Sequence, residues 1–468
     1  VVLPFPLGPQ DTLERFEGML VTLQGPLTVQ QNYFLGRFGE LTLAAGGRLW
    51  TPTNAARPGA QADAINADNL RRTVLLDDGT SVQNPNPTPY LAADKTVRAG
   101  DTVAAVTGVV DYGLTTSANT GAGAWKIQPT QPVVFARANA RTARADDVGG
   151  NIRIGSANVE NYFTTLDDGT NKCPPSNTAG DCRGANSVAE FGRQQAKVVE
   201  ELAGMDADAV ALMELQNNGS VAIQNLVDAL NARLGAAVYA RVPDPAGGGG
   251  TDAIKVGMIY KPARLALVGA ALSDTAAINN RAPMAQAFMA PNGEKFNLVA
   301  NHLKSKGCGD FAAGAGDADS GDLQGCFNAR RVQQADELRS FVAQVQSARG
   351  VVDTLLVGDF NAYAQEDPIH DLTSRGFVDQ IHRYLDKGPA SSGYSYVFDG
   401  ASGRLDHALA SNTLSPKVTG ATEWHINADE PLVIDYNLEF KQPACPACGP
   451  DYTLPTPYRA ADHDPLVV

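Results

Sequence analysis

The chain has 468 residues, enough for two or three domains and a sizeable buried core. Its 37 lysines and arginines stand against 51 aspartates and glutamates, and the net charge of −14 excludes capture of nucleic acid or an anionic membrane by bulk charge. Hydrophobic residues make up 43%, with 46 Gly and 28 Pro, and no run approaches the ~20 apolar residues of a membrane span, which implies a turn-rich globular protein. Val1 opens the chain without Met or a basic and apolar leader, as expected after removal of a signal peptide or trimming.

Residues 1–10 read as an N-terminal extension. From 11 to 145 the sequence predicts a small all-β domain, with short, partly alternating runs at 16–23, 27–34, 39–43, 74–76, 102–110 and 125–127. Turn signals such as Asp77-Asp78-Gly79 separate them, no useful helical periodicity is present, and 51–69 reads as a long polar loop. Residues 146–150 form a polar, Gly-containing linker, and beyond it strands and helices alternate. A strand begins at Ile152 and Ile154, and a helix over 187–202 carries Phe191, Gln195, Val198, Val199 and Leu202 on one stripe. Apolar strands follow at 208–215, 256–260, 296–303 and 354–360, a second helix at 328–348, and strands at 405–410 and 466–468.

The six cysteines fall into close pairs, Cys173 with Cys182, Cys308 with Cys326 and Cys445 with Cys448, each among turn-forming residues. This predicts three loop staples and an oxidising compartment. A single CxxC at 445–448, with no second pair at ribbon spacing, speaks against zinc.

Chemistry gathers where the apolar runs end. Asn158 and Glu160 close the first, Glu214 the second, Asn301-His302 with Lys304 a third, and Asp359 with Asn361 a fourth. Asp406-His407 and Asp462-His463-Asp464 sit at the last two. Polar side chains at strand ends lie beside neighbouring strand ends, so these residues can converge at one sheet edge. Glu214, Asp359, Asp462 and the Asn361 amide are hard oxygen donors suited to Mg²⁺, Mn²⁺ or Ca²⁺. With histidines, Lys304 and Lys306 nearby, that inventory suits phosphodiester hydrolysis, and neither a GK[ST] phosphate loop nor a GxSxG elbow is present.

In order, Ala157-Asn158, Met213-Glu214, Asn301-His302, Gly358-Asp359-Phe360-Asn361, Leu405-Asp406-His407 and Asp462-His463-Asp464-Pro465 resemble the motif series of the DNase I-like endonuclease/exonuclease/phosphatase superfamily over 151–468. The segments 301–307, 405–411 and 424–431 resemble bacterial extracellular nucleases of the ExeM type, and 16–19, 36–40 and 125–130 resemble the OB-fold-like domain that often precedes them. The resemblance implies an α/β (α+β) fold, a four-layer α/β/β/α sandwich preceded by a small OB-fold-like barrel with a DNA-binding role. It implies Glu214 as principal metal ligand, with Asp462, Asp359 and Asn361, for Mg²⁺, with Mn²⁺ as a substitute and Ca²⁺ as a structural ion. His463 would be a general acid or base oriented by Asp406, and His302 a second phosphate or proton group. Asp359 and Asn361 would position water and phosphate, with Asn158 nearby. Lys304, Lys306 and Arg331 are candidates for substrate phosphates. Ala461 departs from the family, which usually has Ser there.

Taken singly, each strand-end acid or histidine is more often a cap or a solvated residue; joint occurrence reverses that. Asp252 is a candidate to orient His302, while His425 and Asp429 match a family motif without a derivable role. His370 and His382 read as surface or loop histidines, and Arg330, like Arg331, opens a helix and is a candidate either to contact DNA phosphates or simply to face solvent. Arg37, Arg71, Arg72, Tyr33, Phe34 and Phe38 fit a groove with a stacking platform, or simply the barrel core. The resulting expectation is a secreted (extracellular or periplasmic) bacterial metal-dependent deoxyribonuclease, monomeric, acting on DNA and also RNA to leave 5′-phosphates, without membrane insertion. The alternatives are a sphingomyelinase-like lipid phosphodiesterase and an inactive DNA-binding matrix protein. Because every expected ligand lies beyond residue 150, the catalytic domain is expected to cleave without the β domain.

Overall fold

The computed structural model describes residues 1–8, 12–80, 82–114, 123–309, 316–386, 393–439, 441 and 451–468. In the N-terminal part, strands Leu20–Gln31, Leu41–Ala45, Thr73–Leu76, Gly123–Pro129 and Thr102–Leu114 are neighbours in that order. The last pairs again with the first, which closes a five-stranded barrel. Strand alternation turns Val21, Leu23, Leu27, Val29, Leu41, Leu43, Val106 and Ile127 inward to fill it.

The polar stretch read as a loop is instead two helices, Pro52–Ala55 and Ala60–Arg72. The longer one buries only Ala62, so it has no apolar stripe for periodicity to reveal. Alanine-rich helix propensity and polar anchors hold it: Arg72 Nε donates to the Ala45 carbonyl (2.7 Å) and Asn69 Nδ2 to that of Trp50 (2.8 Å).

The C-terminal part has four layers. One sheet runs Thr422–Glu423, Leu466–Val467, Ile154–Tyr162, Ala209–Gln216, Ile254–Tyr260, Ala240–Arg241. The other runs Ala266–Ser273, Met284–Met289, Lys295–His302, Thr354–Asp359, Asp406–Ser411, Phe377–Asp379. Alternation assigns the faces. Ala209, Ala211, Met213, Leu298, Ala300, Leu355, Val357, Ala408 and Ala410 pack between the sheets. Val210 and Leu212 face the helices Val188–Met205 and Val221–Leu234, and Val299, Leu356 and Leu409 face Asn328–Arg349 and Asp367–Ser374.

The helix expected over 187–202 starts where Ser187 Oγ accepts from the Glu190 N–H (3.3 Å) and ends at Met205. The helix Val221–Leu234 escaped the sequence reading although Ala222, Ile223, Leu226, Val227 and Leu230 form a buried helical stripe.

Cys173–Cys182 and Cys308–Cys326 are disulfides, and Cys445 and Cys448 lie outside the described residues. Both half-cystines of the first are buried against Phe163, Ala253 and Ile254. Replacing Cys173 and Cys182 by Ser is expected to lower stability by about 2–4 kcal/mol, read as a lower denaturant midpoint. An unchanged midpoint would show that the staple adds nothing to the packing already there.

Candidate active site

The two sheets present their strand ends on the same side. In the second sheet His302 is registered opposite Asp359, and Asp359 opposite Asp406, so adjacent strands carry these side chains in one row. Gly358 makes the row possible. At its φ of +129° the position of a Cβ would fall inside the Asn301 carbonyl, so only glycine lets the strands approach.

From the first sheet, Glu214 enters at a bulge where pairing with the Asn158 strand shifts register. Glu214 (φ +65°), Glu160 (φ +47°), Asn161 (φ +52°) and Asn361 (φ +47°) all hold left-handed backbone, so non-glycine strain concentrates here. Glu214 Oε1 accepts from Asn158 Nδ2 (3.2 Å) and Oε2 from the Asn161 N–H (3.0 Å). His302 Nε2 lies 4.0 Å from Glu214 Oε1 and 3.3 Å from Asp359 Oδ2.

His463 Nδ1 meets Asp406 Oδ2 at 2.7 Å, and Ser395 Oγ donates to the same oxygen at 2.7 Å. Burial alone would lower the imidazole pKa, but Asp406, Asp462 and Asp359 outweigh it and raise it well above the usual value. Asp359 moves the other way. Burial would raise its carboxyl, yet His463, His302 and the Asn361 N–H (2.7 Å) hold it below the ordinary range. The imidazole and the carboxylate thus favour each other's charged form.

The donor set fits a divalent cation. Atoms of Asp359, Asp406 and His463 lie within 4.8 Å of one another, a spacing a metal could use. His463 and Asp406 are nonetheless poor ligands, because each has committed an atom to the other and a protonated imidazole does not bind metal. Glu214, Asp359 and the Asn158 side chain supply the hard oxygens, and Asp462 adds a carboxylate close enough to act on His463.

Several expected residues have other occupations. Lys306 Nζ donates to both oxygens of buried Glu366 (2.7 and 2.6 Å) and to the Gln324 carbonyl (2.6 Å), and burial brings its pKa down to about 8. Arg331 is fully buried and donates to the carbonyls of Cys326 (2.8 Å), Gln324 (2.9 Å) and Lys304 (3.3 Å). Both therefore brace the segment that carries Lys304 and the Cys308–Cys326 bridge. Lys304 itself lies over the Phe327 ring at 4.5 Å. Asn361 Nδ2 donates to the Leu303 carbonyl and to Asp359 Oδ2 (both 3.1 Å), which orients that carboxylate.

Sequence reading missed Arg281. Its Nη1 meets His302 Nε2, and its Nε donates to Asp252 Oδ2 (3.1 Å), so Asp252 reaches His302 through a guanidinium. The role of His425 and Asp429 also emerges. His425 stacks on Tyr394 at 3.9 Å and 3°, while Arg48 of the barrel lies over the same ring at 4.2 Å. His425 Nδ1 meets Asp464 Oδ2 (2.8 Å), and Asp429 Oδ1 accepts from Arg48 (3.0 Å). The barrel thus braces the chain on either side of His463 and Ser395.

Residues 155–427, more than half of the chain, match the profile of the Endonuclease/Exonuclease/phosphatase family. The chain belongs to this family. Members of the Endonuclease/Exonuclease/phosphatase family hydrolyse phosphate esters and typically use divalent metals, and the matched segment contains Asn158, Glu214, His302, Asp359 and Asp406. His463 lies beyond the match and joins the site through its bond to Asp406. Among solved structures, the human nocturnin catalytic domain aligns at 15% identity over 68% of this chain and 92% of its own, with a TM-score of 0.38. A Bacteroides thetaiotaomicron mannosyl-6-phosphatase aligns at 13% identity over 68% and 98%, with a TM-score of 0.38. D. rerio TDP2, complexed with a single-strand DNA product, aligns at 15% identity over 68% and 97%, with a TM-score of 0.37. No substrate is carried over from them. A search among curated proteins finds no significant match.

Proposed function

We propose that the protein is a secreted, divalent-metal-dependent nuclease that hydrolyses phosphodiester bonds of DNA, and also of RNA, to 5′-phosphate products. The observation that carries this reading is the His463–Asp406 pair set beside ionised Asp359, with Glu214 and Asn158 entering from the other sheet. Asp359, oriented by Asn361, accepts the proton of an attacking water as its oxygen bonds to phosphorus. The bond from phosphorus to O3′ breaks, and His463, kept cationic by Asp406, delivers a proton to the departing oxygen. His302, whose Nε2 accepts from Arg281 and lies 3.3 Å from Asp359, stands beside the phosphate as a positioning group. Glu214, Asp359 and Asp462 would hold a divalent ion, which would supply neutralisation of the charge developing on the phosphate. The paired cysteines support an oxidising compartment, and the aromatic face of the barrel supports a substrate-binding role for an OB-fold-like domain.

The test is incubation with plasmid DNA, RNA, sphingomyelin and a sugar phosphate, each with Mg²⁺ and with EDTA. DNA is expected to be nicked with Mg²⁺, to stay intact with EDTA, and to be nicked again once Mg²⁺ or Mn²⁺ is restored. Full nicking in excess EDTA would overturn the mechanism, and turnover of only the sugar phosphate or the lipid would overturn the substrate.

A further inference from the structure

Between barrel and sandwich lies a cavity of about 590 Å³, lined by Tyr33 and Phe34 of the barrel and by Tyr396, Arg459, Glu160 and Asp462 of the sandwich. It adjoins the catalytic histidine, because the Tyr396 ring lies 4.6 Å from that of His463, tilted by 38°. Phe398, two residues along the same strand, continues the stack at 6.5 Å and 14° and is 58% exposed. On the barrel side Tyr33 is 51% exposed, with only an edge contact to Phe34 at 4.9 Å. Tyr33 and Phe398 thus leave aromatic surface exposed on the two sides of a cavity next to the catalytic group.

Arg459 supplies an independent observation. It is only 7% exposed and holds left-handed backbone (φ +58°). Its Nη1 donates to the carbonyls of Asn427 (3.0 Å) and Glu430 (3.4 Å), while its Nε has no acceptor among the described residues. A buried guanidinium short of acceptors is costly, and its planar fork matches a phosphate. Glu160 lines the same cavity, where a carboxyl group suits the polar edge of a base. The hairpin that carries Tyr396 and Phe398 is fixed in place. Its tip glycine, Gly400, would set a Cβ 3.2 Å from Thr42 Cγ2 and 3.5 Å from Gln30 Cβ of the barrel.

We infer that this cavity binds one unpaired nucleotide of the strand being cut, its base stacked between Tyr33 and Tyr396 and its phosphate on Arg459. The inference rests on the nuclease reading and adds a preferred substrate class, nucleic acid that is single-stranded at the site, since a paired base must first be unstacked and unpaired, at a cost of a few kcal/mol, before it can enter. A lipid surface is the poorer occupant: the hairpin turns at Asp399-Gly400, and Asp399 sets an exposed carboxylate where an apolar tip would be needed.

The experiment measures binding by the full chain in EDTA, by fluorescence anisotropy, of a fluorescein-labelled single strand and of a blunt hairpin duplex containing the same sequence. The single strand is expected to bind at least about tenfold more tightly; Tyr33→Ala loses about tenfold and Tyr33→Trp retains it, as base stacking requires. Equal affinity for both forms, or an unchanged Tyr33→Ala, overturns the inference. So does binding to phosphatidylcholine–sphingomyelin vesicles that Phe398→Ala abolishes. Nicking of plasmid by the same preparation with Mg²⁺ separates the two readings. Nicking without a single-strand preference sinks only the subsite, whereas neither nicking nor oligonucleotide binding sinks the nuclease.

Discussion

His463→Ala is expected to lose about 10²–10⁴-fold in kcat and to stay lost at any Mg²⁺ concentration. Glu214→Ala is expected to regain part of its activity as Mg²⁺ is raised. The difference follows from what each side chain touches. His463 Nδ1 is bound to Asp406 at 2.7 Å, and its function is to hold and move a proton. Glu214 bonds to Asn158 and to the Asn161 N–H, and its function is to present oxygens to a cation whose occupancy mass action can restore. Asp406→Ala should resemble His463→Ala, because it removes the group that orients the imidazole and keeps it charged. Since the pair acts as a unit, the double variant should be little worse than either single one. Steady-state kinetics across a Mg²⁺ titration checks all four proteins. Rescue of His463→Ala by metal, or strictly additive losses, would mean that the roles are exchanged.

Much of the site was legible because its residues end apolar strands. Alternation fixes which side chains face the core, and the end of a run marks where polar groups gather. His463 and Asp406, 57 positions apart, could be paired on that ground. The partners of Lys306 and Arg331 were not legible, because a cation near a motif looks the same whether it faces solvent or a buried carboxylate; burial decides, and burial of a polar residue is not written in its neighbours. Arg281 left no signal, since its place beside His302 comes from a loop that returns to the sheet. The helix Ala60–Arg72 was missed for the opposite reason, because its sequence favours a helix by propensity while showing no apolar stripe. Arg48 and Asp429 lie 381 positions apart in different domains, and neither has a local pattern that points to the other.

That last contact reverses the expectation for the isolated catalytic domain. Removal of residues 1–145 is expected to leave a chain that neither folds cooperatively nor cleaves. Asp429 and Glu430 are fully buried, and their charges are met from the barrel side: Arg48 at 3.0 Å and Arg98 at 3.6 Å on Asp429, Arg98 at 3.2 Å and Arg141 at 2.7 Å on Glu430. Asn32 Nδ2 and the Ala99 N–H also donate to the Asp429 carbonyl, at 2.8 and 3.0 Å. Stripping one partner from a buried pair costs about 3–5 kcal/mol. Losing several at once approaches the whole stability of a typical domain, about 5–15 kcal/mol. In the full chain, Arg141→Ala should therefore destabilise by about 3–5 kcal/mol in denaturant unfolding. Adding Glu430→Gln should return part of that loss, because the buried carboxylate, left with Arg98 as its one cation among those named, is then neutral, and the cycle should show coupling rather than additivity. A soluble, cooperatively unfolding and active 146–468 fragment would show that the barrel is a detachable module and that these buried pairs contribute little.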